Sequence, residues 1–151
     1  MTLAKPHHLT LYDADYLQWI ESTLEKLQNQ DYKHIDWENL VEELRDMGKS
    51  ERRSLESNLI VILLHLLKWQ YQPECRSGSW ESSAIEHRRR IKKSLQESPS
   101  LKPYLTSILT ECYAEALKQA KAETGLPIAT FPAECPYDLF TEIMNDEFLP
   151  V

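Results

Sequence analysis

The chain has 151 residues, 42% hydrophobic and 27% charged with only three glycines, values that exclude wholesale disorder and fit about one ordinary domain. A net charge of −7 argues against a duplex-DNA coat protein, because phosphate binding needs a basic footprint. Cys75, Cys112 and Cys135 are odd in number and lack any C-x-x-C spacing, so no disulfide framework or zinc knuckle is expected and reduced thiols in a cytosol fit best. The N-terminus, MTLAKPHHLTLYDAD, has no apolar signal core, and the longest apolar run is far short of the roughly 20 residues of a membrane span. The expectation is a soluble cytoplasmic protein.

Residues 1–12 read as an arm with Pro6, His7 and His8, ending at Leu11 and Tyr12, which can pack on the first helix. Asp13 is a plausible N-cap for a helix to about Gln28, with Tyr16, Ile20, Leu24 and Leu27 at helical spacing and Leu17 and Trp19 widening the stripe. After the turn-rich NQDYKHID, Asp36 can cap a second helix with Trp37, Leu40, Val41, Leu44 and Met47 on one side, and Gly48 is expected to stop it. Ser50 then caps a central helix, 50–72, that is polar for two turns and nearly all apolar from Leu59. Such a helix must be wrapped by other elements to stay in water.

Pro73 ends the central helix, Gly78 turns the chain, and Ser79 is expected to cap a fourth helix from Trp80 to about Glu97. Its apolar stripe, Trp80, Ala84, Ile91 and Leu95, is interrupted by His87 and Arg88. Pro103 suits the first turn of a fifth helix, which carries Leu105, Ile108, Cys112, Ala116 and Ala120 and ends at Gly125. The remainder holds four prolines with bulky apolar residues and reads as an ordered strap over the bundle, with a short helix expected from Tyr137 to Asn145. No period-two run appears, so the fold class is all-α. The expected architecture is a single domain, 13–151, of about five helices around the central one, with a Pro-rich C-terminal strap.

Several phrases together carry a resemblance: W-E-N-L-V-E-E-L, then G-K-S-E-R-R-S-L-E-S, L-L-H-L-L-K-W-Q-Y-Q-P, S-P-S-L, F-P-A-E-C-P-Y and a final F-L-P. From about Tyr12 to Pro150 the chain resembles the domain-of-unknown-function family numbered twenty-nine, small bacterial proteins common in photosynthetic bacteria. The resemblance implies an all-helical bundle and carries no activity, cofactor or catalytic residue.

Three function classes follow. Hairpin geometry between helices three and four sets His65 and His87 within a turn of the same height, with Glu111 and Glu115 on helix five near that level. Two imidazoles and a carboxylate suit zinc, iron or another first-row metal, so a metal-dependent enzyme with ligands among His65, His87, Glu111 and Glu115 is one alternative. The bland reading is that His65 and Lys68 line a wet groove or subunit contact, with His87 and Arg88 paired to helix-five glutamates. The tract HRRRIKK offers Arg88, Arg89, Arg90, Lys92 and Lys93 for nucleic acid or an acidic partner, a toxin included. Against this stand the nearby Glu81, Glu86 and Glu97, which can neutralise the tract, and the lack of interleaved aromatic platforms. Trp19, Trp37, Trp69 and Trp80 read first as core. No phosphate-cradling loop, G-x-S-x-G or H-E-x-x-H is present. The leading expectation is a non-enzymatic helical module acting through another protein or a second copy of itself, with no resident cofactor and no membrane.

Overall fold

The computed structural model describes residues 10–151; His7 and His8 lie outside them. The helices are α1 (Leu11–Ala14), α2 (Tyr16–Gln28), α3 (Trp37–Tyr71), α4 (Gly78–Glu97) and α5 (Leu101–Thr124). Single 3-10 turns occupy Tyr32–His34, Pro73–Cys75 and Ile128–Thr130, and one wide π turn spans Leu139–Ile143. The chain is all-α. Its contacts divide it into two compact units, with the division between Gly48 and Lys49.

In the N-terminal unit the first helix starts in two steps. Thr10 caps the short α1, and the side chain of Asp15, not Asp13, accepts from Gln18 N to start α2. Asp36 opens α3 as expected: its carboxylate accepts from Asn39 N at 3.3 Å and its carbonyl from Leu40 N at 3.0 Å. The Asn39 side chain donates to the same carboxylate and, as the largest influence, holds its pKa below the usual range.

Gly48 does not stop a helix, and Ser50 does not start one: α3 runs unbroken from Trp37 to Tyr71. A glycine ends a helix when the backbone turns left-handed there, and the described glycine with positive φ is Gly125. Gly48 is flanked by good helix formers, Glu, Arg, Lys and Met, and a helical glycine costs only about 1 kcal/mol.

In the C-terminal unit most of the apolar part of α3 is buried, with Ile60 and Val61 partly exposed. Leu55, Leu59, Ile62, Leu63, Leu66 and Leu67 are each 0% exposed. They pack with Ile91 of α4, with Leu105, Cys112, Ala116 and Ala120 of α5, and with Phe131, Tyr137, Leu139 and Ile143 beyond it. Ser77, with extended backbone, is the cap of α4, its hydroxyl accepting from Trp80 N at 3.4 Å; Ser79 is already helical and cannot serve. At the end of α5, Gly125 takes φ 70, and its N–H reaches Lys121 O, the left-handed cap expected from sequence.

The C-terminal strap is pinned by side-chain hydrogen bonds from Tyr113 and Arg88 of the helices and from its own Tyr137. Tyr113 Oη donates to Pro132 O at 2.6 Å. Tyr137 Oη donates to Gln70 Oε1 at 2.6 Å. Arg88, 1% exposed, donates from Nε to Ile143 O at 2.7 Å and from a terminal nitrogen to Phe148 O at 3.0 Å.

Candidate functional site

His65 and Lys68 lie on one polar stripe along α3. His87 lies near enough to His65 for its charge to disfavour protonation of His65. Burial first, then the Lys68 ammonium, push the His65 pKa down to about 4, so its imidazole is neutral at pH 7. His65 Nδ1 is buried with no hydrogen-bond partner. His87 Nδ1 donates back to Ser83 O at 2.7 Å, which leaves its Nε2 as the free nitrogen.

The carboxylates do not arrive as the hairpin geometry suggested. Glu111 is exposed, and Glu115 pairs with Lys118 on its own helix at 3.4 Å. The carboxylate near His65 belongs instead to Glu123, two turns further along α5, and Lys68 holds it at 2.7 Å. Lys68 is 9% exposed, and its Nζ also sits 4.4 Å from the Trp80 ring centroid. Among the described residues, no group of three or more His, Cys, Asp or Glu side chains is placed to hold a metal ion. The stripe ends as a plug of His65, Lys68, Trp80 and Glu123 between three helices. Lys68 is expected beside His65 from sequence; Glu123 is missed because hairpin geometry sets the register of α5 two turns too early.

The basic tract is internally spoken for. Glu86 takes Arg89 at 2.7 Å and Arg90 at 3.1 Å, which lowers its own pKa to about 2. Lys92 pairs with Asp146 at 2.7 Å, and Lys93 lies 3.9 Å from Glu97. Arg88 is the correction here: buried against strap carbonyls, it is neither a phosphate contact nor a partner of helix-five glutamates. The interruption in the α4 stripe was its only sequence signal.

The surface that stands out lies wholly in the N-terminal unit. Tyr16 at the start of α2 donates to Glu43 Oε2 at 2.6 Å, and Tyr12 donates to Oε1 of the same carboxylate. These two hydrogen bonds, Tyr12 first, hold the Glu43 pKa below its usual value. Tyr12 also meets the Trp19 ring edge-on at 4.9 Å between centroids. With Tyr16 facing Glu43, and Leu27 and Leu40 lining the same groove, α2 and the first turns of α3 form an antiparallel hairpin.

The two apolar stripes of that hairpin are not covered. Leu17 is 63% exposed, Met47 61%, Leu44 60% and Leu24 53%, where residues of this kind ordinarily face a core. Trp37, read from sequence as core, is 48% exposed. Between the helices runs an apolar groove of about 250 Å³, floored by Trp19, Ile20, Leu24, Leu40, Leu44 and Met47. That volume falls short of the roughly 300–1,000 Å³ of a metabolite pocket. The groove lies in an acidic field: residues 10–48 hold ten acidic and three basic side chains, a net charge equal to the −7 of the whole chain.

The architecture is that of a small all-helical bundle protein. The chain belongs to the family described as Domain of unknown function DUF29, whose model matches residues 11–149. No curated protein and no solved structure matches the chain. No helix among the described residues is long and apolar enough to cross a membrane.

Proposed function

We propose that this chain is a protein-binding module of the cytosol, without chemistry of its own, and that it binds through the open hairpin face of α2 and the first turns of α3. The observation that carries this reading is the contrast within one chain. The leucines of α3 from Leu55 to Leu67 are closed to solvent, while Leu17, Leu24, Leu44 and Met47 stand more than half exposed on adjoining stripes. Contiguous apolar surface of this kind marks a contact site in soluble proteins. The metal-enzyme alternative loses its support with the separation of Glu111 and Glu115 from the two histidines, and the nucleic-acid alternative with the pairing of Arg89, Arg90, Lys92 and Lys93.

Site-specific photocrosslinking tests the reading in the native host. A benzophenone side chain replaces Leu44 in one strain and Lys118, an exposed position on α5, in another. A discrete protein adduct is expected from position 44 and none from position 118. Equal adducts from both, or none from 44, would overturn the proposal.

A further inference from the structure

Taking the hairpin face as the binding surface, we infer that its occupant is a basic amphipathic helix contributed by a different protein. Three observations converge on that occupant. The first is shape. Two antiparallel helices with a groove between them present the ridges into which a third helix packs, the helix-in-groove mode of recognition. From Tyr16 to Leu27 the groove runs along twelve residues of α2, about 16 Å at the helical rise, enough for three turns of a docked helix.

The second is chemistry of the floor. It is built from Leu, Ile, Met and the face of Trp19, so the occupant's inner side must be apolar at the i, i+3, i+4, i+7 spacing. The third is charge. On α2, Glu21 and Glu25 follow the apolar stripe around the helix; on α3, Glu38 and Glu42 do the same, with Arg45 already held by Glu42 at 3.0 Å. A helix seated in the groove has its outer edges against these carboxylates, and Lys or Arg there is favoured.

The same charge argues against a second copy of the chain. Self-association through this face would bring together two hairpins of net charge −7. Like-charge juxtaposition selects against a partner, and opposite charge both speeds and orients docking.

The experiment uses the full chain and three synthetic 18-residue helices with the same leucine spacing. Their outer positions are Lys, Gln or Glu, and a fourth peptide scrambles the Lys version to destroy its apolar face. Binding is read by fluorescence anisotropy at low and high salt, and self-association by sedimentation velocity. The Lys helix is expected to bind at least about tenfold more tightly than the Glu helix and the scrambled control, with affinity falling as salt rises. Leu44→Asp should weaken it at least about tenfold, although that change makes the surface more acidic. If Leu44→Asp left binding intact, the attraction would be nonspecific charge and the inference would fail. Equal binding of all three amphipathic helices would overturn the charge selection while leaving the groove as a binding site. A wild-type dimer dispersed by Leu44→Asp would make the occupant a second copy and overturn the inference. Binding of none would overturn it too, and the crosslinking result separates that outcome from failure of the binding-module reading.

Discussion

Replacing Arg88 by Met keeps most of the side-chain volume and removes every donor. Three hydrogen bonds disappear, to Ile143 O at 2.7 Å, Phe148 O at 3.0 Å and, at the long end of the range, Glu142 O at 3.5 Å, and the two shorter ones carry the loss. A bond from a charged donor contributes about 1.5–3 kcal/mol, so the gross loss is roughly 3–6 kcal/mol. Part of it is offset, because burial disfavours the guanidinium charge and the variant no longer buries it. The gross loss already includes leaving the Ile143 and Phe148 carbonyls without their partner. The net expectation is a loss of about 2–4 kcal/mol, concentrated in the strap. Urea unfolding followed by circular dichroism measures the total, and limited proteolysis mapped by mass spectrometry locates it. Cleavage should begin within residues 139–150 in the variant while α3 and α5 stay protected. A stability loss under about 0.5 kcal/mol, or cleavage beginning elsewhere, would refute the account of Arg88 as the clasp of the strap.

Gly48 sits in a continuous helix, and an added Cβ would meet no atom within 4 Å, so Gly48→Ala should stabilise by about 0.5–1 kcal/mol in urea unfolding. Destabilisation would mean that the helix is interrupted there. The folded pKa of His65, about 4, lies below its unfolded value of 6.5, so the unfolded chain binds the extra proton between those limits. Its contribution to stability, up to about 3 kcal/mol, is present above pH 6.5 and is lost as pH falls towards 4. His65→Leu should therefore flatten the pH dependence of unfolding in that window; an unchanged slope would refute the assignment. Burial pushes the Cys112 thiol up to about 12 while Cys75 is exposed, so a thiol reagent at pH 8 should modify Cys75 first and Cys112 only on unfolding.

What could be read from sequence was decided by local chemistry. The boundaries of α5, the left-handed Gly125, the Asp36 cap and the apolar run from Leu59 onward each follow from residue type and spacing, and the structure keeps them. Where two local signals competed, sequence could not choose. Gly48 followed by Ser50 looks like a stop and a start, yet neither residue has a backbone conformation that opens the helix, and the helical bonds simply continue. Ser77 and Ser79 are equally good caps by type, and only the extended backbone at Ser77 separates them. The site residues failed for a different reason. Lys68 and Glu123 are 55 positions apart, and their pairing depends on the register of two helices that no nearby residue specifies.

The stripes on α2 and the first turns of α3 carry a further lesson, because they were legible as stripes while their cover was not. Amphipathic spacing tells which side of a helix avoids water, not which molecule relieves it. In the C-terminal unit, the chain itself supplies the cover, and residues 49–151 hold thirteen basic and fourteen acidic side chains, close to neutral. In the N-terminal unit the apolar face stays open, and there the acidic residues outnumber the basic by ten to three. Charge at that density opposes the meeting of an uncovered apolar face with its own copies. On the proposed reading it also sets the condition for burial, favouring a surface that brings leucines and positive charge together.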